Sequence, residues 1–263
     1  MFTHLKSALA AAAIAFCGTT FAGDIYLTGH DVDFHENQAG YDKVILDYLR
    51  GGVAAADYRV GIVTGSVGFG TIGTGYGSRT ERDIFSFADG ASFATFLSGI
   101  DVLIVASEES CGGCVFAAAD VTKLNSFQTQ VTNFFNAGGD IFGQTGAANA
   151  SYYGFLPATA VATGAPIGGS SGFSATVAGS AIGITSANIN GYPTHNRFTS
   201  FDPAFTVMEV RGTEVISLAL KDGTIGGGGV ITIPSAVPEP ETYALMAFGL
   251  IAVGFASRRR KAA

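Results

Sequence analysis

The sequence holds no tryptophan, and its 263 residues include only three cysteines, three methionines, four histidines and seven prolines, with 13% charged side chains. Each shortage closes a class of function. The cysteines stand at 17, 111 and 114, so a four-thiolate zinc site lacks its second pair. Basic residues are scarce: from Gly23 to Pro234 there are 19 acidic and nine basic side chains, a net charge of −10. That balance argues against nucleic acid and against an anionic membrane surface as partners. No Gly-x-Ser-x-Gly elbow follows an apolar run, Gly65-Ser66-Val67-Gly68 being the nearest approach, and no P-loop lysine is present. Gly68-Phe69-Gly70-Thr71-Ile72-Gly73 has glycine spacing suited to a dinucleotide, but Thr74-Gly75-Tyr76-Gly77-Ser78 follows where a helix is needed, so it reads as a glycine-rich loop. No nicotinamide or other organic cofactor is expected.

The two ends are patterned differently from the middle. Lys6, an apolar stretch from Ala8 to Cys17 and the small-residue triplet Thr20-Phe21-Ala22 form a secretory signal peptide over residues 1–22, with the mature chain starting near Gly23. Bulky Phe16 disfavours lipid attachment at Cys17. At the other end, Val237-Pro238-Glu239-Pro240 precedes an apolar stretch from Tyr243 to Ala256, and Arg258-Arg259-Arg260-Lys261 follows. The prolines break any helix before the stretch. The basic cluster stays on the cytoplasmic side by the positive-inside bias, which leaves the body on the outer side. The stretch is short against the roughly twenty residues that cross a bilayer unaided.

Pro-Glu-Pro, short transmembrane helix and terminal arginines resemble the PEP-CTERM sorting signal of Gram-negative bacteria, over residues 235–263. The resemblance implies an exosortase substrate, with Pro238, Glu239, Pro240, Arg258, Arg259 and Arg260 carrying the signal. The body would be periplasmic while the tail holds it at the inner membrane, and would then pass to the cell surface or an extracellular matrix.

Between the ends, residues 23–234 suffice for one domain with a substantial core. Asp24 to Thr28, Tyr58 to Thr64, Asp101 to Ala106 and Asp140 to Gln144 are short apolar runs, as strands buried on both faces require. Helical spacing links Tyr41, Val44, Ile45, Tyr48 and Leu49 ahead of Gly51-Gly52. A short helix is expected over Ala91 to Leu97. Val121, Leu124, Phe127, Val131, Phe134 and Phe135 mark one long helix from near Asp120 to Gly138-Gly139. This alternation predicts an α/β domain with a mostly parallel sheet in three layers. Val207 to Arg211 and Glu214 to Leu220 around Gly212 add a C-terminal β-hairpin, Val230 to Ile233 a further strand, and all are expected at an edge of the same sheet.

The order Asp24-Ile25-Tyr26-Leu27-Thr28-Gly29-His30, helix, strand, helix, Asp101-Val102-Leu103-Ile104-Val105-Ala106-Ser107, long helix, Gly138-Gly139-Asp140-Ile141-Phe142-Gly143 resembles the class I glutamine amidotransferase-like, or ThuA-like, domain. That resemblance implies a flavodoxin-like fold. Where such domains commonly carry a cysteine elbow, this chain reads Gly143-Gln144-Thr145-Gly146, so no amidotransferase or peptidase chemistry is implied and no catalytic residue is assigned.

Two features remain as candidate sites. His30, Asp31, Asp33 and His35 share one turn after the first strand, with Glu36 excluding an EF-hand start. At the carboxyl edge of a parallel sheet, where open α/β folds place ligands, these groups could hold a divalent metal or a small polar ligand; alternatively they cap the turn and bond to local backbone. His195, in Asn190-Gly191-Tyr192-Pro193-Thr194-His195-Asn196-Arg197, could meet His30 or His35 across one cleft. Cys111-Gly112-Gly113-Cys114 in an exported chain reads as a structural disulfide, with free thiols and redox chemistry as the alternatives. Glu108-Glu109 reads as a solvated loop. The whole is consistent with a non-catalytic surface or matrix protein, in contact with exosortase, secretion machinery and an exopolysaccharide of a biofilm. A carbohydrate- or metal-binding module, or a hydrolase with unfamiliar residues, stays open beside it.

Overall fold

A computed structural model describes residues 23–32, 40–66, 70–108, 116–146, 151–156, 162–163, 167–191, 193–226 and 230–233. The chain divides into two units, Met1–Ile233 and Pro234–Ala263, and every element below belongs to the first. The first half alternates strand and helix: β1 (Gly23–Thr28), α1 (Tyr41–Leu49), β2 (Arg59–Thr64), β3 (Ser78–Asp83), α2 (Gly90–Leu97), β4 (Val102–Val105), α3 (Ala118–Asn125), α4 (Gln128–Asn136) and β5 (Asp140–Gly143). The second half has short pieces: β6 (Ala162–Thr163), β7 (Ser174–Ala175), α5 (Val177–Ala181), α6 (Ser186–Ile189), β8 (Phe198–Ser200), β9 (Thr206–Arg211), β10 (Glu214–Ile225) and β11 (Ile231–Thr232).

The result is a mixed α/β fold around one central sheet, ordered β3-β2-β4-β5-β1-β10-β8-β6, with β9 and β11 also on β10 and β7 on β9. From β3 to β1 every pairing is parallel. The apolar runs of β1, β4 and β5 are buried along their whole length, because helices cover both faces of a parallel sheet. On one face Tyr26 and Phe142, cross-strand partners, meet edge to face at 6.2 Å, and Tyr26 also touches the Tyr41 and Tyr48 rings of α1. Ile25 and Leu27 point the other way, as alternation demands; on that side Leu27, Tyr153 and Phe155 all crowd the space where a Cβ on Gly143 would stand.

Four expectations need correction. Doubly wound flavodoxin order, 2-1-3-4-5, places the first strand between the second and third. Here β2, β3, β4 and β5 keep the relative order 2-1-3-4, and β1 takes the fifth place beside β5. β3 was not foreseen: its sequence Ser-Arg-Thr-Glu-Arg-Asp has no apolar signal. It joins through backbone bonds to β2 alone, with Arg79 and Glu81 paired at 3.1 Å on one side of the strand, and such charges suit a sheet edge.

The long helix is two helices. At Ser126 and Phe127 the backbone tightens, Phe127 N–H bonding the Leu124 carbonyl at 2.8 Å. That turn lays the Phe127 ring on Phe93 of α2 at 4.8 Å. The hairpin of β9 and β10 is present, but β10 lies inside the sheet, antiparallel to β1. β1 therefore has a full set of neighbours on both sides. Among the described residues no helix is long and apolar enough to cross a membrane; Tyr243 to Ala256 lie outside them.

Candidate functional site

The site grows from one cross-strand row. Thr28 of β1 pairs with Ser217 of β10, and Ser217 pairs with Glu209 of β9, so their side chains stand abreast on one face of the sheet. Thr28 Oγ1 and Ser217 Oγ are 2.8 Å apart, and Ser217 donates to Glu209 Oε2 at 3.0 Å. Tyr41, at the start of α1, donates to Glu209 Oε1, and its hydroxyl lies 3.0 Å from that of Tyr26. A buried carboxylate is expensive unless hydrogen bonds surround it. Here it is fully enclosed and ringed by donors.

His30 completes the ring. Its side chain is fully buried, Nε2 lying 3.0 Å from Glu209 Oε2 and Nδ1 2.7 Å from Thr194 Oγ1. An ionised carboxylate only accepts, so a proton on Nε2 faces Glu209, and Nδ1 faces the Thr194 hydroxyl. Tyr41 and Phe173 present their rings to the imidazole edge-on at 5.5 and 5.3 Å. Burial, reinforced by the Glu209 charge, lifts the Tyr26 and Tyr41 phenols well above their ordinary range and keeps them protonated donors.

The late loop arrives by close backbone approach. Gly29 is required at its position, since a Cβ there would stand 2.0 Å from the Asn196 carbonyl oxygen. His195 N–H bonds the Gly29 carbonyl at 2.9 Å, and His30 and Thr194 form an antiparallel bridge. Consecutive residues of extended chain face opposite ways. One bridge therefore carries His30 and Thr194 to one face and their neighbours Asp31 and His195 to the other, where His195 Nε2 lies 3.0 Å from Asp31 Oδ2. Asp31 is enclosed, while His195 keeps 22% of its side chain exposed.

The chain thus brings His30, Asp31 and His195 together at the carboxyl edge. Asp33 and His35 lie outside the described residues, as do Cys111, Cys114, Glu109, Pro238, Glu239, Pro240, Arg258, Arg259 and Arg260. Glu108 is buried, its N–H bonded to the Thr145 carbonyl at 3.0 Å, so it is not the solvated loop residue its sequence suggested. Among the described residues no group of three or more His, Cys, Asp or Glu side chains could hold a metal ion.

The stretch resembling an elbow is closed polar packing. Gln144 and Thr145 are buried, Thr145 donates to Asn196 Oδ1, and the Gln144 carbonyl accepts from Tyr153 at 2.6 Å.

Sequence reading missed Glu209, Tyr41, Ser217 and Thr194. A usable signal was present for one of them: Glu209 interrupts the apolar register of Val207-Met208-Glu209-Val210, where an unpaired charge would be intolerable. The tyrosine and the two hydroxyl residues carry no such mark.

Chemically, Thr194, His30 and Glu209 stand in the order hydroxyl, imidazole, carboxylate, by which hydrolases orient a base. Thr194 is 1% exposed, and the relay here clamps the 193–197 loop onto β1. Of the Asp31 and His195 pair, His195 is the member that meets solvent.

Compared with known proteins, the chain matches the family model of the PEP-CTERM protein-sorting motif over residues 236–261. No curated protein and no solved structure matches it. The motif marks an exported, exosortase-sorted protein, held at a membrane in transit before release to the cell surface or beyond.

Proposed function

We propose that this chain is a surface or matrix-associated component of a Gram-negative bacterium, delivered by exosortase and working by structure or interaction. The observation that carries this reading is the sorting motif at residues 236–261. It is supported by the enclosure of His30, Asp31, Thr194 and Glu209, whose polar groups are engaged with one another and with neighbours. In this reading residues 1–22 direct export, 23–234 form the working domain and 235–263 are the sorting tail. The body crosses the periplasm, an exopolysaccharide of the biofilm matrix is its partner, and Cys111 and Cys114 form a disulfide. A flavodoxin-type, amidotransferase-like ancestry is part of this reading; the parallel β3-β2-β4-β5 half supports it, while β1 departs from the flavodoxin order.

The test follows the protein in cells. Deleting residues 236–261, or the exosortase, should leave the body out of the matrix fraction. Unchanged matrix delivery in both strains would overturn the reading.

A second reading has its own observation: Asp31 and a partly exposed His195 pair at the carboxyl edge, beside the segment that carries Asp33 and His35. There a divalent metal or a carbohydrate would bind. Calorimetric titration of Zn²⁺, Ca²⁺ and oligosaccharides, with His195→Ala as control, tests binding; silence for all three ligands would end it. Turnover in a glycosidase and esterase screen, lost with His195→Ala, would instead favour a hydrolase.

A further inference from the structure

We propose that leader removal is a structural modification: the α-ammonium created at Gly23 becomes the counter-ion of the buried Asp140 carboxylate and pins β1 between β5 and β10. This rests on the export reading above, because it requires cleavage after Ala22.

Gly23 is the first residue of β1, is buried, and pairs with Gly223 of β10. A Cβ on it would stand 2.0 Å from the Gly139 carbonyl oxygen, so by standard bond lengths that oxygen lies within about 4.5 Å of the Gly23 nitrogen. The next nitrogen, of Asp24, donates to Asp140 Oδ1 at 2.8 Å. Successive backbone nitrogens are at most about 3.7 Å apart, which puts the Gly23 nitrogen within about 6.5 Å of the Asp140 carboxylate. In the uncleaved chain that nitrogen is a neutral amide. After cleavage it is a cation within about 4.5 Å of a carbonyl and about 6.5 Å of a carboxylate.

Asp140 needs such a partner. Its other oxygen accepts from the Tyr58 hydroxyl at 2.6 Å, and among the described residues no cation bonds to it. Of the two cations at this end, Arg59 pairs with Asp101, and Lys221 bonds Asp24 Oδ2 at 2.6 Å and reaches Asp140 only through space, while the backbone N–H of Asp222 bonds the other Asp24 oxygen at 2.8 Å. The charged and titratable groups facing this end are Asp24 from β1, Asp140 from β5, Lys221 and Asp222 from β10, Tyr48 from α1, and Tyr58 with the Arg59 and Asp101 ion pair at the start of β2 and β4. Acid exceeds base among them. Consistent with that geometry, burial pushes the Asp140 carboxyl up to about 7. An opposite charge within about 4–6 Å restores the ionised form.

The experiment uses the exported chain. Its first residue is read by mass spectrometry, and thermal unfolding is followed from pH 4 to 10 before and after acetylation at pH 6.5. At that pH an α-amine of ordinary pKa near 7.7–8.0 reacts ahead of lysine, near 10.4. The same pair of curves is taken for Asp140→Asn. A first residue at Gly23 is expected, with the capped form melting about 3 °C lower at pH 7, a shift of roughly 1 kcal/mol for a domain of this size. The difference should close below about pH 5, where Asp140 is protonated, above about pH 9, where the amine is neutral, and at all pH values in Asp140→Asn. Coincident curves for a chain that begins at Gly23 would overturn this proposal alone, whether or not Asp140→Asn folds. A chain retaining residues 1–22 would overturn the export reading with it.

Discussion

The two edges of the sheet each bury a carboxylate, and they surround it differently. At the carboxyl edge Glu209 is met by the Tyr41 and Ser217 hydroxyls and His30 Nε2, with the Tyr26 hydroxyl at 3.5 Å. At the amino edge Asp140 receives one backbone N–H and one phenol, and desolvation lifts its pKa to about 7. Both are buried, and they differ in the number of donors aimed at them.

The contrast can be broken most severely at Glu209. Glu209→Ala strands a buried imidazole and two hydroxyls, and should cost several kcal/mol in urea unfolding, about 1–3 kcal/mol for each buried donor left unsatisfied. Glu209→Gln, which keeps two acceptor or donor positions, should cost less. Equal losses would show that the donors around Glu209 do not discriminate charge.

The next largest effect is a pH slope at the amino edge. Asp140 in the folded chain holds its proton more tightly than the ordinary value near 3.9 of an unfolded chain. Protons are therefore released on unfolding, and its contribution is most favourable below about pH 4, declines as pH rises to about 7, and is flat above. For the chain with its α-amine capped, the decline should reach about 4 kcal/mol at most, from 1.36 kcal/mol per pH unit. Asp140→Asn should flatten it. A slope that survives the substitution would move the cause to Asp24, whose carboxyl burial also raises.

Smaller again is Thr194→Val, which leaves His30 Nδ1 without its hydroxyl and should destabilise by about 1–3 kcal/mol. If the loop is clamped as described, hydrogen exchange at the His195 amide, bonded to the Gly29 carbonyl, should quicken with it. Smallest is His195→Ala at the partly exposed pair, about 0–1 kcal/mol. A cost as large as that of Thr194→Val would mean the outer pair also holds the loop.

These differences track what sequence could and could not convey. The runs around Leu27, Val63, Ile104 and Phe142 announce buried strands because their central positions are apolar toward both faces, and the periodicity of Tyr41 to Leu49 announces α1. The glycine-rich loop reading holds for residues 70–77, which form turns. β3 is silent because an edge strand is held by backbone bonds that side chains do not encode. The break at Phe127 keeps helical spacing on both sides, so periodicity passes through it.

The site was half legible. His30, Asp31 and His195 stand out as titratable groups in turns. Glu209 reaches His30 only through a pairing register between segments about 180 residues apart, and register is a property of the assembled sheet.

That separation has a consequence for the order of events. β1 leaves the ribosome, and any translocation channel, first, yet its partners Ser217 and Glu209 come near the end of the body. Contacts so distant along the chain make folding slow. A chain emerging amino end first would hold the Tyr26, Thr28 and His30 strand without its antiparallel neighbour until β10 had followed it out. Closure of the sheet on β1 then waits until nearly the whole body has emerged.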